Sequence, residues 1–439
     1  MIRAVAELLS GFVQRWLPDP LIFALALTAI VFVAGIGLTP HGSAEMIGIW
    51  GAGFWNLLAF AMQMVLVLVT GHALASSPAA SRLMRWVASR AHTPGQAVVL
   101  VTLTGALGSL VNWGFGLVLG AMFAREVARR VKGCDYGLLV ASAYIGFMTW
   151  HGGFSGSVPL MAATKGNPME ASIGLIPVTD TLLARFNLGI TAALLIALPL
   201  ITWAMTPKPE QARSIDPALL KEEGLPGRAL EPGAVPARRL EENPILSWLA
   251  ALLIVAYLVL GWLGGFKLDI NTVNFILLAV GLVLHGSPMA YARAIAAGAK
   301  ETGGIILQYP FYAGIQAMLD KSGLGGMLTN AFVAVADRDT FPLLAFLSSG
   351  VINFAVPSGG GHWVVQAPFV MPAAQALGAD LGKAAMAIAY GEAWMNMAQP
   401  FWALPALSIA GLGVRDIMGY CVTALLFTLP IFLLGLYLL

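Results

Sequence analysis

Charge is what this sequence has least of. Lys, Arg, Asp and Glu make up 10% of its 439 residues, against about 25% in a water-soluble domain. The net charge is only +2, and no basic stripe offers a surface to nucleic acid, so no nucleic-acid partner is expected. Cysteine is nearly absent. Cys134 and Cys421 are too few and too far apart for a disulfide framework or a thiolate metal site. No small-residue cleavage site closes the first apolar run, and Pro18 and Pro20 follow Trp16, so that run reads as a retained first span rather than a signal peptide.

What is abundant is apolar surface: 58% of the residues are hydrophobic and the mean hydropathy is +0.81. A soluble fold has no way to hide this much. Long apolar runs separated by polar knots read as helices rather than the alternating strands of a barrel. The chain is therefore expected to be an all-α polytopic membrane protein. Spans fall near 21–38, 55–75, 137–162, 187–206, 245–264, 271–285, 303–318, 384–410 and 419–438. Two pairs, 96–111 with 117–128 and 341–353 with 363–377, are short for a bilayer of about 20 helical residues and read as re-entrant hairpins. Residues 207–244 hold seven prolines among mixed charges and read as a polar linker, with a short amphipathic helix near 216–223.

The two halves repeat. "HGS" at 41–43 answers "HGS" at 285–287, and Gln63 answers Gln308. "SLVNWGFG" (109–116) answers "GVINFAVPSGGG" (350–361), and "MTWHGGFSGSVPL" (148–160) answers "AWMNMAQPFWALP" (393–405). An odd connecting span turns the second copy over, which gives two inverted-topology repeats, an arrangement of many secondary transporters. The predicted units are a first transmembrane repeat (1–206), a cytoplasmic linker (207–244), a connecting helix (245–265) and a second inverted repeat (266–439). With the N-terminus in the cytoplasm, eighteen of the 24 Lys and Arg residues lie inside, as the positive-inside rule requires.

Loose polar backbone at membrane depth is tolerated only where it is buried in protein or lines a wet cavity. Four such places pair up here: two hairpin tips (Asn112-Trp113-Gly114, and Asn353 through His362) and two helix breaks (His151 to Ser157, and Asn396 to Pro400). Half-helix starts offer N–H groups to an anion, and interrupted helices offer carbonyls to a cation. Glycines let backbone approach a ligand. The predicted substrate-binding residues are therefore Asn112, Gly114, His151, Ser155, Ser157, Asn353, Ser358, Gly359, Gly360, Gly361, His362, Asn396 and Gln399. Glu392, the carboxylate deepest in a predicted span, and His362 are the candidate coupling groups, because ionisable residues inside a membrane are functional by default. Asn112 and Asn353 are candidate sodium ligands. With no Lys or Arg at a span centre, a monocarboxylate suits the site better than a dicarboxylate. Trp113, Trp150, Phe154, Trp363, Trp394, Phe401 and Trp402 suit a short alkyl tail. "GFSG" (153–156) also matches the serine motif of rhomboid-type intramembrane proteases, but that chemistry gives no reason for a second break carrying Asn396 and Gln399.

The stretches "RWLPDPLIFA", "WGAGFWNLLAFAMQM", "NWGFGLVLGAMFAREVARRV", "FAVPSGGGHWVVQAPFVMPAAQALGADLGK" and "MNMAQPFWALPALSIAGLGVRDIMGYC" resemble the bacterial short-chain fatty acid transporter family (AtoE type), itself similar to an ion transporter superfamily of dicarboxylate and citrate carriers. The resemblance implies a secondary transporter rather than an enzyme, with no cofactor. Its cargo would be butyrate- or acetoacetate-like anions, coupled to H+ or Na+ in the bacterial cytoplasmic membrane. It also implies a homodimer with an elevator-like movement. Neither tip carries the superfamily's Ser-Asn-Thr, since Asn112 precedes Trp113 and Asn353 precedes Phe354.

Overall fold

The structure, a computed structural model, describes residues 20–208, 212–213, 235–265, 268–354, 356–399 and 401–439. The helix expected near 216–223, and Pro400 in the second break, lie outside the described residues. Among those described there are helices and no strands. The first half runs α1 (Pro20–Leu38), α2 (Ser43–Gly53), α3 (Leu58–Ala75), α4 (Pro78–Ala88), α5 (Pro94–Val111) and α6 (Trp113–Arg130). It continues with α7 (Tyr136–Gly146), a 3-10 turn (Phe147–Gly152), α8 (Ser157–Ala163), α9 (Glu170–Ile173) and α10 (Arg185–Ala204). Helices α11 (Pro236–Glu241) and α12 (Pro244–Leu263) lead to the second half. There follow α13 (Ile270–His285), α14 (Pro288–Ala299), α15 (Gly303–Ser322), α16 (Leu324–Val335), α17 (Phe341–Ile352), α18 (Gly359–Leu377), α19 (Leu381–Met395), α20 (Ala403–Ala410) and α21 (Val414–Leu438). Element for element, α1–α8 and α10 answer α13–α20 and α21.

Local chemistry starts these helices at matching places. Asp135 caps α7 by accepting the Leu138 N–H at 2.8 Å, and Asp380 caps its counterpart α19 by accepting the Lys383 N–H at 2.8 Å. Ser77-Pro78, Thr93-Pro94 and Ser287-Pro288 each set a hydroxyl cap before a proline at the first helical position, where the missing N–H costs nothing.

Packing interlocks the halves. α1 and α2 lie on α15, and in the mirrored exchange α13 and α14 lie on α3. Deeper in, α5 packs along α7 and α17 along α19. The short helix after each break crosses to the other half: α8 rests on α18 and α19, and α20 on α6 and α7. Glycines permit the closest approaches. A Cβ at Gly105 would lie 2.5 Å from the Ala143 carbonyl oxygen, and one at Gly146 2.5 Å from that of Thr102; such small-residue contacts hold membrane helices together without a hydrophobic driving force.

Six helices among the described residues are long and apolar enough to cross a bilayer. The stretch Pro236–Leu263 is the least enclosed, with 11% of its apolar window buried. Its exposed Leu252, Leu253, Leu260 and Leu263 form the surface that a lipid-facing helix presents. The protein is a multi-pass, all-helical membrane protein.

Candidate functional site

The two tips are built differently. At the first, Asn112 alone joins α5 to α6. Its side-chain Oδ1 accepts the Phe115 N–H at 2.7 Å and its Nδ2 donates to the Val67 carbonyl at 3.2 Å. Ser155, in the first break, accepts the Trp113 N–H at 2.7 Å, and the Phe154 N–H donates to the Leu110 carbonyl at 2.7 Å. Tip and break are thus stitched by backbone. Gly114 faces Leu68 of α3, with a Cβ position 3.1 Å from the Leu68 carbonyl oxygen.

At the second tip, residues 353–358 separate α17 from α18. "PSGGG" reads as loose chain, yet Gly359, Gly360 and Gly361 are the first turn of α18, and none has a positive φ. Ser358 makes this possible: its hydroxyl caps the helix by accepting the Gly361 N–H at 3.3 Å and contacts the Tyr309 hydroxyl at 3.1 Å. The glycines are needed for space. A Cβ at Gly359 would lie 2.5 Å from His151 Cε1, and one at Gly360 2.5 Å from the Tyr309 hydroxyl and 2.9 Å from Phe60. His362 lies one turn inside the helix rather than at its opening, its Nε2 3.1 Å from the Ser349 carbonyl and its Nδ1 3.4 Å from that of Ser358. A neutral ring donates to one of these carbonyls; only an imidazolium donates to both.

A buried polar chain runs from this tip into both breaks. Asn353 Nδ2 donates to Asn396 Oδ1 at 2.9 Å and to the Glu392 carbonyl at 3.3 Å. Asn396 Nδ2 donates to Glu392 Oε1 at 2.9 Å, and the Tyr144 hydroxyl donates to the Asn396 carbonyl at 3.0 Å. Glu392 Oε2 then meets Nε2 of His151, from the other repeat, at 3.2 Å, with both side chains wholly buried. The two atoms are at ion-pair distance but out of line for a hydrogen bond, so both keep bonding capacity, as does Asn353 Oδ1. An unpaired buried carboxylate would cost several kcal/mol. With one proton, the His151–Glu392 pair is neutral overall; a second proton makes it a cation.

The Trp150 ring lies against His151, tilted by 31° with ring centroids 3.6 Å apart. Trp113 of the first tip lies 6.0 Å from Trp150 and 5.0 Å from Trp402, beside the second break. These indoles join the first tip to the polar chain through an apolar box.

Of the predicted residues, His151, Asn353, Ser358, Gly359, Gly360, Gly361, His362, Glu392 and Asn396 gather around the second tip. Asn112, Gly114 and Ser155 form the first. Ser157 opens α8, and Gln399 accepts the Phe401 N–H at 2.9 Å, away from the polar chain. Ser155 is engaged by Trp113 and His151 by Glu392, an arrangement unlike a serine–histidine dyad. Sequence reasoning passed over Tyr144, Tyr309, Ser349 and Phe60; a tyrosine inside an apolar run is the one signal that pointed to the first two.

Comparison with known proteins places these features in company. The family model described as "Short chain fatty acid transporter" matches residues 1–439. The chain is 61% identical over 437 residues to a protein of Escherichia coli (strain K12), covering 99% of each. It is 56% identical over 445 residues to one of Haemophilus influenzae, covering 100% of each. Both relatives are provisionally named short-chain fatty acid transporters. In fold it is similar to the Alcanivorax borkumensis YdaH transporter (TM-score 0.56, 18% identity, 95% of this chain and 97% of that one). It is also similar in fold to Neisseria gonorrhoeae MtrF (TM-score 0.52, 14% identity, 97% and 96%), described with a class of antimetabolite efflux pumps.

Proposed function

The chain belongs to the short-chain fatty acid transporter family, and from that premise we propose that it carries small monocarboxylates such as butyrate or acetoacetate together with a proton. It does so by alternating access across the bacterial cytoplasmic membrane, with its N-terminus inside. The repeats comprise residues 1–206 and 266–439, joined by a cytoplasmic linker (207–244) and a connecting span (245–265), and the protein works as a homodimer.

The observation that carries this reading is the His151–Glu392 contact of 3.2 Å, fully buried and bridging the two repeats. Substrate carboxylate docks at the N-terminal end of α18, where Gly359 brings the helix backbone close to His151 and Gly360 brings it close to the Tyr309 hydroxyl. Entry of an anion into a site without Lys or Arg is offset by a second proton on the pair. The apolar box of Trp113, Trp150 and Trp402 takes the alkyl tail. Purified protein in proteoliposomes should accumulate labelled butyrate or acetoacetate under an imposed pH gradient and not under a sodium gradient alone.

One observation favours a second reading. Asn353 Oδ1 and Glu392 Oε2 are buried oxygens without a hydrogen-bond donor, a donor set that suits Na+. Asn112 has both polar atoms engaged, so sodium, if it is the coupling ion, belongs at the second tip. Accumulation driven by sodium alone would select this reading.

The orientation is tested by labelling. Ser89→Cys and Lys132→Cys place exposed thiols on both flanks of the first hairpin, while the native Cys134 and Cys421 are buried. An impermeant maleimide should label neither site in intact cells and both after lysis. Labelling of one alone in intact cells would mean that the hairpin crosses the membrane.

A further inference from the structure

Helix α4 is amphipathic and lies against α3, α6 and the start of α5. Its outer side carries Leu83 and Trp86, 55% and 57% exposed, with the Arg90 guanidinium 4.6 Å over the Trp86 ring. Apolar side chains, an exposed Trp and arginines on one short helix are the marks of a segment lying in the membrane–water interface. Its inner side, with Met84 and Ala88 buried, packs on the last turns of α6.

Between them is a cavity of about 400 Å³ lined by Ser81, Met84 and Arg85 of α4 and by Met122, Glu126, Arg129 and Arg130 of α6. Three guanidinium groups face one carboxylate. That carboxylate is already shared: Arg130 Nε donates to Glu126 Oε1 at 2.8 Å, and Arg129 Nη1 lies 3.5 Å from Glu126 Oε2. Arg85 has no side-chain partner among the described residues. Among the residues that line it, arginines thus outnumber the carboxylate, and the cavity also has a hydroxyl in Ser81 and methionines in Met84 and Met122.

We propose that this cavity binds the phosphate of an anionic phospholipid from the leaflet on the side of the Arg-rich loops. Arg85 and Arg130 fork onto the phosphodiester oxygens, Ser81 donates to the same group, and Met84 and Met122 contact the glycerol and the first methylenes. Three features choose a lipid over a free anion: the two methionines of the lining, the neighbouring Leu83 and Trp86 set for an interface, and the position between helices where basic pockets take lipid headgroups. The site is separate from the transport pathway, but α6 runs directly from it to Asn112, so an occupying lipid would brace one end of the first hairpin.

The test is binding, and it is independent of transport. Purified full-length protein in neutral detergent is titrated with phosphatidylglycerol, with phosphatidylcholine of the same chains, and with inorganic phosphate. Adducts are read by native mass spectrometry, and stabilisation by thermal unfolding. Phosphatidylglycerol should bind and raise the unfolding midpoint, and the other two should not. Arg85→Gln combined with Arg130→Gln should weaken phosphatidylglycerol binding at least about tenfold, since each cation near a lipid surface is worth a factor of about five. Arg90→Gln, off the cavity, should leave binding unchanged. Should the double variant fail to fold, Ser81→Glu keeps every arginine and should still weaken binding about fivefold. Equal retention of the two lipids, or undiminished binding by the variants, overturns the proposal. Equal stabilisation by phosphate alone also overturns it, as it would identify a site for free anions.

Discussion

At the first hairpin tip a single residue turns the chain, and all its polar atoms are engaged. At the second, several residues lie between α17 and α18, and Asn353, Glu392 and His151 there have bonding capacity left over, while both ring nitrogens of His362 meet carbonyls. The repeats share an architecture, but their tips do different work. Asn112 is a cap that also ties α6 to α3. Asn353 is one link in a buried polar chain that reaches the opposite repeat. A duplicated fold leaves its two copies free to diverge, and here the unsatisfied buried polar atoms of Asn353, Glu392 and His151 gather at the second tip, with His151 supplied by the first half.

The comparison is sharpened most by Glu392→Gln. It retains the shape of the side chain and removes the charge, so pH-driven accumulation in proteoliposomes should collapse to the equilibrium level while counterflow exchange of substrate persists. Full accumulation by this variant would make Glu392 a structural residue. Next comes Gly359→Ala, whose methyl would lie 2.5 Å from His151 Cε1 and 2.7 Å from the Trp150 ring. Moving these rings should cost about 1–3 kcal/mol, seen as a fall in uptake of about tenfold or more. Gly303→Ala, at a position with open space around it, serves as the control, and equal uptake by the two variants would remove His151 from the pathway. Asn353→Ala deletes the donor to Asn396 and Glu392 and should raise KM several-fold, with a stability loss of about 1 kcal/mol. Asn112→Ala is expected to do the least to transport. It should lower stability by about 1 kcal/mol, the worth of a lost N-cap, leave KM unchanged, and be largely rescued by Asn112→Ser. A rise in KM for Asn112→Ala equal to that for Asn353→Ala would break the comparison and make both tips binding elements.

Much of this was legible in the residues. Polar, glycine-bearing knots within apolar runs can only be tips or breaks at membrane depth, and their recurrence locates the repeat. Glu392 stands out because a carboxylate in such a run needs a reason. The conformation of "PSGGG" was not legible: three glycines suggest loose or left-handed backbone, but the Ser358 cap turns them into a helix start, and the demand for glycine comes from Tyr309, Phe60 and His151 packed against it. The pairing of His151 with Glu392 was equally hidden. It depends on α8 and the 3-10 turn crossing onto α18 and α19, and no local pattern encodes a contact between residues more than half the chain apart.

The exchange in which α1 and α2 lie on α15, and α13 and α14 on α3, bears on how the protein is made. During synthesis at about 5–20 residues per second, α1 and α2 wait roughly fifteen to fifty seconds before their partner leaves the ribosome. The first half must sit in the bilayer over that interval with α3 uncovered, sheltered by lipid or by the insertion machinery. A chain terminated after α12 would lack the surfaces that complete either half. Truncated products should therefore be cleared by quality-control proteases, and two halves expressed from separate messages should accumulate only when they are made together.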